Sequence, residues 1–282
     1  RGGDGKAWLG PVLREYVVSE AMHALAIPTT RALAAVSTGE QVYRETALPG
    51  AVVTRIAASH IRVGTFQVFA ARGQIEQLRT LADYTLARHY PEADGPEGLL
   101  QAAMDAQSTL IPKWMGVGFI HGVMNTDNCQ IAGETIDYGP CAFMDAFASD
   151  RVFSSIDRQG RYSYANQPDI AIWNMAQLAT ALVPLMPEQD QAIERFTAML
   201  NEMKDKLRVE WLAVFAAKLG ISTPQGSDGD LIADLLSMME TDGSDFTNTF
   251  RALTKGYAIA EMSERSAYQL WHERWQARIA SE

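Results

Sequence analysis

The sequence contains few cysteines and little positive charge. Its 282 residues include 2 cysteines, Cys129 and Cys141, which lie outside any CxxC or paired Cys/His pattern. Neither a disulfide scaffold nor a zinc site is indicated, and both thiols are expected to be reduced and partly buried. Lys and Arg number 24 against 34 Asp and Glu, which gives a net charge of -10. Nucleic acid and anionic membrane are therefore excluded as expected partners, because both bind through a positive field.

The sequence also lacks a long uninterrupted apolar run. Its longest apolar stretch, residues 170–187, contains Asn174, Gln177 and Thr180 at steps of three, which predicts a narrow polar stripe on a helix rather than a membrane span. The first ten residues, RGGDGKAWLG, contain neither an initiator Met nor an apolar core, so no signal or transit peptide is expected.

What is present suits a globular α+β protein. Hydrophobic residues make up 47% of the chain, enough to bury a sizeable core in one large domain or two lobes. Short β-favouring runs at 31–38, 51–57 and 62–71 follow a helix that Pro11 opens and that carries Glu15. From Gly73 onward the chain is chiefly helical, apart from a glycine-rich loop and hairpin region at 116–145.

The helical pattern continues to the second half of the chain. Helices are predicted at 74–89, 96–115, 168–185, 189–206, 209–219, 231–239 and 245–253. The expected division is therefore a mixed α+β lobe at residues 1–72 and a mostly helical lobe at residues 73–282, with loop-borne function in the second. His23, His60, His89 and His272 lack a partner at metal-ligand spacing, and Trp271 and Trp275 are expected to pack in the core.

One glycine-rich segment carries a pattern typical of phosphoryl-transfer enzymes. Kinase-like loops supply a catalytic Asp two residues after a His and a metal-binding Asn five residues later, and a D-F-G-like Asp follows. The segment HGVMNTDN, residues 121–128, matches the His and the final Asn, but Val123 occupies the Asp position. A valine accepts no proton, and the nearest carboxylate is Asp127. Asp137 begins a DYG triplet nine residues after Asn128.

Asn128 and Asp137 supply the oxygen ligands that Mg²⁺ prefers when it also binds nucleotide phosphates. The spacing therefore predicts a nucleotide and metal site on this loop. The alternative for the eight residues alone is a polar turn held by local side-chain hydrogen bonds.

The motifs HGVMNTDN and TIDYGP together resemble the selenoprotein O family, whose members are protein adenylyltransferases with a kinase-like two-lobed fold. The resemblance covers most of residues 1–185. It extends to four further stretches: RGGDG at 1–5, LREYVVSEAMHALAIPTTRALA at 13–34, TRIAASHIRVGTFQ at 54–67 and GRYSYANQP at 160–168.

The resemblance implies transfer of AMP from ATP to Ser, Thr or Tyr hydroxyls of proteins, with Mg²⁺, or Mn²⁺ in its place, and with ATP and protein substrates as the partners. It implies a cytoplasmic location in a bacterium or a mitochondrial one in a eukaryote. The implied site residues are Asp127 as proton acceptor, Asn128 and Asp137 as metal ligands, and Asp4, Gly5, Arg55, Arg62 and Asp137 as ATP contacts. Arg55 and Arg62, seven residues apart, need a bend near Ser59 and His60 to converge on the phosphates.

The resemblance also implies parts that this sequence does not contain. Family members carry a glycine-rich loop and a lysine before RGGDG, and this lysine pairs with the helix glutamate at the position of Glu15. They also carry a redox-active Cys or selenocysteine in a C-terminal tail. The chain is therefore expected to be a fragment with an incomplete N-terminal lobe, and Glu15 to lack its usual partner. Two alternatives stay open: a kinase that uses Asp127, and an inactive nucleotide-binding pseudokinase scaffold.

Overall fold

The computed structural model describes residues 4–262 and 265–282 of a mixed α+β protein that is mainly helical, as expected. Arg1 to Gly3 of the RGGDG stretch lie outside the described residues. The helices are α1 Leu9–Ala24, α2 Val63–Ala71, α3 Ile75–His89, α4 Gly95–Gly116, α5 Gln167–Leu182, α6 Gln189–Lys218, α7 Asp228–Asp242, α8 Phe246–Lys255 and α9 Ser266–Ile279. The strands are β1 Ala7–Trp8, β2 Arg31–Tyr43, β3 Ala47–Ile56, β4 Phe119–Ile120 and β5 Ala142–Phe143.

The chain forms two compact units. The sheet unit contains the described residues up to Ala106, then Asn125–Pro140 and Asn174–Phe196. The aromatic unit contains Gln107–Met124, Cys141–Trp173 and the described residues from Thr197 onward. The boundary at residue 72 concerns kinase-like lobes and stays a prediction.

The sheet unit is built on three antiparallel strands in the order β1-β3-β2. Arg31 of β2 pairs with Ile56 of β3, and Ala7 of the short β1 pairs with Ala51 at the other side of β3. The first two β-favouring runs are thereby confirmed as strands. The register places Arg55 near the end of β3, from which the chain must turn before it reaches Arg62.

Helix α1 follows β1 directly and carries Glu15 in its interior. Pro11 lies in the first turn, where its missing N–H removes no intrahelical hydrogen bond. Val12 and Met22 are buried on one side, and the helix ends before Ala26, whose φ of 58° breaks the helical path. The predicted helix at this position is confirmed.

The prediction of a strand for the third β-favouring run, at 62–71, is wrong, because residues Val63–Ala71 form helix α2. Arg62 and Thr65 form a capping box, in which the Thr65 hydroxyl accepts a hydrogen bond from the Arg62 N–H at 3.2 Å. Val63 and Phe66 are fully buried at a spacing of three residues. This cap and the buried helical face outweigh the β preference of the Val, Thr and Phe side chains.

Two predicted helices, at 189–206 and 209–219, are one continuous helix, α6. No glycine or proline separates them, and Met203, Leu207 and Phe215 continue one buried stripe through the junction. Helix α9 was not predicted from the sequence. Its Trp271 and Trp275 are buried in the core, as expected.

The aromatic unit takes its name from a cluster of rings in its core. Phe246 lies within 6.4 Å of the rings of Phe147, Tyr164, Phe215 and Phe250, measured between centroids. Across the described residues, none of the helices is long and apolar enough to cross a membrane. Both cysteines are buried thiols, and neither forms a disulfide. Burial raises the pKa of the Cys129 thiol to about 12.

Candidate active site

The turn that carries Asp127 is held by its own side chains. Residues Thr126–Asn128 form one turn of 3₁₀ helix, and the Asn125 side chain caps it by accepting a hydrogen bond from the Asp127 N–H at 3.1 Å. The Asn128 N–H donates to the Asn125 carbonyl at 3.0 Å. The local bonds of a polar turn are therefore present. They leave the Asp127 side chain exposed, so its carboxylate is accessible to a substrate.

Arg62 lies directly beside this turn. Its backbone forms a β-bridge with Gln130, and the neighbouring Val63 N–H donates to the Cys129 carbonyl at 3.0 Å. The Arg62 guanidinium donates through Nη1 to the Asp127 carbonyl at 3.2 Å. Its Nε is buried without a hydrogen-bond partner. One cationic side chain with an unused N–H donor thus lies next to Asp127.

Gly64 gives Asp127 the room it needs, which was not predicted from the sequence. A Cβ on Gly64 would overlap the Asp127 Oδ1 atom, so even an alanine would push the carboxylate aside. Gly64 belongs to the first turn of α2, next to Arg62. The start of α2 therefore shapes both the cation and the space around the carboxylate. Only the resulting three-dimensional contact identifies this glycine among the 21 in the sequence.

The DYG triplet is held in an unusual backbone conformation. Asp137 has a φ of 69°, and its Oδ1 accepts a hydrogen bond from the Gly139 N–H at 3.2 Å. A left-handed conformation is uncommon for residues other than glycine, although Asp and Asn tolerate it best. Tyr138 is fully buried, and its hydroxyl is hydrogen-bonded to the Thr29 hydroxyl. The buried tyrosine anchors the triplet, so the strained Asp137 is fixed in place.

The segment that precedes the triplet adds to this anchoring. Thr30 N–H donates to the Thr135 carbonyl at 3.0 Å, and Thr135 N–H donates to the Pro28 carbonyl at the same distance. Nearer the Asp127 turn, the Tyr90 hydroxyl donates to the Ile131 carbonyl at 2.6 Å. The loop between Asn128 and Asp137 is thus pinned to the segment after α1 and to α3. The run at 129–136, which the sequence pattern predicts to be hairpin-like, is held by hydrogen bonds to these neighbouring segments and not by strand pairing within itself.

Glu15 connects helix α1 with both Arg55 and the DYG triplet. One carboxylate oxygen accepts a hydrogen bond from Arg55 Nη2 at 2.7 Å, and the other accepts from the Tyr138 N–H at 2.7 Å. The Glu15 side chain is 14% exposed and that of Arg55 is 30% exposed. Glu15 was expected to lack the lysine that is its usual partner in the family, and in this chain Arg55 provides the positive charge beside it. Sequence reasoning missed the pairing because the two residues are 40 positions apart.

His60 lies in the loop between strand β3 and helix α2, close enough to Arg55 and Arg62 for both charges to act on it. Partial burial and the charges of Arg55 and Arg62 lower the pKa of His60. The intervening loop is fixed at Ala58, whose carbonyl accepts hydrogen bonds from Arg88 Nε at 3.0 Å and Nη2 at 2.6 Å. The Ala58 N–H donates to Glu134, a half-buried carboxylate whose pKa is raised by burial.

Asp4 and Gly5 lie in the sheet unit, just before strand β1. The Asp4 carboxylate accepts hydrogen bonds from Arg44 at 2.9 and 3.1 Å and from the Lys6 N–H at 3.0 Å. The Arg44 guanidinium lowers the pKa of Asp4 to about 2. Gly5, with a φ of 67°, forms the turn and lines a cavity of about 400 Å³ against the sheet.

The predicted site residues thus fall into three groups of contacts. Arg62 contacts Asp127, Arg55 is linked to the Asp137 triplet through Glu15, and Asp4 pairs with Arg44. The cavity beside Gly5 is lined by sheet residues such as Val42 and Val53 and includes none of the first two groups. The charges of Arg55 and Arg62 both act on His60, so the first two groups lie near each other. Asp4 forms its hydrogen bonds with Arg44 and Lys6 instead.

The ligands that could hold a metal are few. Among residues 4–262 and 265–282, no three His, Cys, Asp or Glu side chains are close enough to form a metal site. Asn128 and Asp137, at the ends of one pinned loop, are the two residues that could offer oxygen ligands. Such a donor set fits Mg²⁺, which keeps several water molecules and takes its other oxygen ligands from substrate phosphates. It does not fit a metal that requires a complete protein cage.

His121, at the start of the motif, is a buried core residue of the aromatic unit. Its N–H donates to Gln167 Oε1 at 3.1 Å, and its Nδ1 accepts a hydrogen bond from the Val123 N–H at 3.3 Å. Its ring lies 5.3 Å from that of Trp114. These contacts give His121 a role in positioning backbone, which the sequence motif alone does not distinguish from a chemical role.

The structure describes an α+β protein with an exposed carboxylate, a flanking arginine and an anchored DYG aspartate. Comparison with known proteins defines the class further. The chain belongs to the protein adenylyltransferase SelO family, whose sequence model matches residues 1–278. The resemblance inferred from the motifs is thereby confirmed.

Curated relatives carry the name protein nucleotidyltransferase YdiU. The relative from Ruegeria pomeroyi is 62% identical over 282 residues, which are 100% of this chain and 60% of the relative. The relative from Geobacillus kaustophilus is 55% identical over 288 residues, with 100% of this chain and 60% of the relative covered. The chain therefore spans about 60% of the length of these relatives.

Proposed function

We propose that the protein containing this chain is a protein adenylyltransferase that transfers AMP from ATP to Ser, Thr or Tyr hydroxyls of other proteins. Family membership and the name of its relatives support the reaction class. The observation that carries the proposal is the contact between Arg62 and the Asp127 turn. It places an accessible carboxylate beside a guanidinium that has further N–H donors, which suits proton removal beside a phosphate.

In the proposed reaction, the substrate hydroxyl oxygen forms a bond to the α-phosphorus of ATP. The bond between that phosphorus and the oxygen leading to the β-phosphate breaks, and pyrophosphate leaves. Asp127 accepts the hydroxyl proton. Its exposed side chain is free to reach a protein substrate, and Gly64 leaves the space in which the carboxylate is oriented.

Arg55 and Arg62 bind the phosphates in this proposal. Arg62 has further N–H donors besides the Nη1 contact with the Asp127 carbonyl, and Arg55 has further N–H donors besides the Nη2 that holds Glu15. Arg55 therefore binds a phosphate without leaving Glu15. Asp4 and Gly5 contact the nucleotide at the turn beside the 400 Å³ cavity.

Asn128 and Asp137 would hold Mg²⁺, which neutralises phosphate charge when bound. The kinase-like arrangement of two lobes, with its boundary at residue 72, belongs to the same proposal. The proposed partners are ATP and proteins that present hydroxyl groups. Nucleic acid and membranes are not among them, because the net charge of -10 repels polyanions.

The first prediction tests the reaction and the role of Asp127. The full-length protein, incubated with an acceptor protein and Mg²⁺, should incorporate label from ATP labelled at the α-phosphate and none from ATP labelled at the γ-phosphate. Asp127→Asn should reduce the rate about 10²- to 10⁴-fold, the range expected for loss of a general base. Asp83→Asn, at an exposed position of helix α3, is the control and should retain the rate.

Other outcomes would decide between the alternatives. Label only from the γ-phosphate would replace the proposal with a kinase that uses Asp127. Absence of any transfer, together with ATP binding by the wild-type protein, would favour a pseudokinase scaffold.

A further inference from the structure

Lys218 is placed unusually for a lysine, at the end of α6 in the aromatic unit. Its Nζ lies 4.1 Å from the centroid of the Phe250 ring and 5.1 Å from that of Phe246. The side chain is half-buried, and in the part of the chain that the structure describes it forms neither an ion pair nor a hydrogen bond. A buried charge normally has such a partner, because desolvation of an unpaired ammonium is costly.

The end of the helix does not supply the missing partner. The last carbonyl groups of α6 already accept backbone hydrogen bonds: Ala216 accepts from Leu219 and Ile221, and Ala217 accepts from Gly220. The two phenylalanine rings attract a cation through their faces, yet they accept no proton-sharing hydrogen bond comparable to that of a carboxylate. Burial is the stronger influence and lowers the pKa of Lys218 to about 8.

We propose that Lys218 is a nucleophilic lysine that takes an acyl group from small activated acyl donors, such as acyl phosphates and acyl thioesters. The neutral amine attacks the carbonyl carbon, and a C–N bond forms. The C–O bond to phosphate or the C–S bond to the thiol breaks, the leaving group departs with the electron pair, and the amine proton passes to water. The product is a neutral amide.

Two features favour this modification over others at the same amine. Roughly a tenth of a lysine with a pKa near 8 is neutral at pH 7, against roughly one part in 2,500 at the ordinary pKa of about 10.4. Acylation also removes the charge, so the side chain then lies against Phe246 and Phe250 without an unpaired ammonium. The inference is independent of the proposed adenylyl transfer, because it uses no residue of that site.

The test compares lysines within one intact protein. The folded full-length protein is treated briefly with acetyl phosphate or, in a second arm, acetyl-coenzyme A. It is then unfolded in guanidinium chloride, and the remaining amines are labelled with deuterated acetic anhydride. Mass spectrometry of the peptides gives the fraction acetylated in the folded state at each lysine. Lys204, exposed on the same helix, and Lys255, exposed at the end of α8, are the internal controls.

Lys218 should be acetylated at least about tenfold faster than Lys204 and Lys255 in the folded protein. The ratio should fall to about one when the first reagent is applied to the protein already unfolded, because the rings then no longer surround the amine. An excess in only one arm would identify the class of donor that reaches the site. Acetylation of Lys218 at or below the rate of Lys204 in both arms would overturn the proposal.

Discussion

Two ion pairs in the sheet unit join residues that are 40 positions apart, but they differ in their surroundings. The Glu15 and Arg55 side chains are 14% and 30% exposed, whereas those of Asp4 and Arg44 are 44% and 42% exposed. Glu15 also accepts the Tyr138 N–H, so its loss would leave a second donor unsatisfied. The first pair therefore supports the DYG triplet, whereas the second pair fastens an exposed turn.

The largest effect is expected when the half-buried pair is broken. Glu15→Gln should lower the free energy of unfolding by about 2 kcal/mol, because it leaves the Arg55 charge without its counter-ion in a partly desolvated place. Urea denaturation with an unchanged m-value would measure this change. The Glu15→Gln substitution should also loosen Asp137, and so reduce adenylyl transfer by the full-length protein.

A matched control exists on the same helix. Glu20 forms an ion pair with Arg31 through two hydrogen bonds, and their side chains are 33% and 41% exposed, respectively. Glu20→Gln should therefore lower stability much less than Glu15→Gln. Equal losses of stability in the two variants would show that burial and the Tyr138 hydrogen bond do not distinguish the pairs.

A smaller effect is expected at the exposed pair. Arg44→Ala should change stability several times less than Glu15→Gln at moderate salt, and 1 M NaCl should abolish the difference from wild type. The effect of Glu15→Gln should persist in the same salt, because partly buried charges are screened less. Urea titrations of both variants at two salt concentrations provide the measurement.

The exposed pair also has its own pH dependence. Arg44 lowers the pKa of Asp4 from 3.8 to about 2, so the folded state holds the ionised form more strongly than the unfolded state. This contribution to stability is present above about pH 4 and is lost as the pH falls through about 2. This prediction would be contradicted if the stabilities of the wild type and of Arg44→Ala changed in parallel between pH 4 and pH 2.

The smallest effect concerns His60, between the two site arginines. Its pKa is lowered, so the unfolded state takes up a proton more readily, and stability should decrease as the pH falls below about 6.5. His60→Gln should remove this slope. Unfolding free energies at pH 7.5 and pH 5.5 measure it, with His23→Gln on the surface of α1 as the control. Identical slopes in wild type and His60→Gln would exclude His60 as the titrating group.

Local patterns predicted most of the helices and the first two strands, because caps, turns and buried stripes lie within a few residues of each other. Helix α2 was misread since its Val, Thr and Phe residues favour strands, and only packing of Val63 and Phe66 with the Arg62 cap decides for a helix. Similarly, the boundary predicted between Lys206 and Val209 has no physical breaker, and α6 continues across it.

The candidate site shows the same limit at longer range. The kinase-like spacing supplied Asn128 and Asp137 as proposed metal ligands, and the resemblance added Asp127 as the proposed proton acceptor. Strand geometry predicted a bend between Arg55 and Arg62. The Glu15 partner, the contact of Gly64 with Asp127 and the support from Thr29 depend on residues brought together from distant parts of the chain. No spacing rule reports such contacts.

The Tyr138 N–H donates to a side chain, Glu15, instead of to another backbone group. Exchange of this one hydrogen with solvent deuterium therefore requires the carboxylate to move away, without any melting of a helix or strand. The exchange rate of the Tyr138 amide therefore reports whether the hydrogen bond between α1 and the DYG triplet is formed. It can be read in the same sample while nucleotide is added, so the state of the site is observable separately from its turnover.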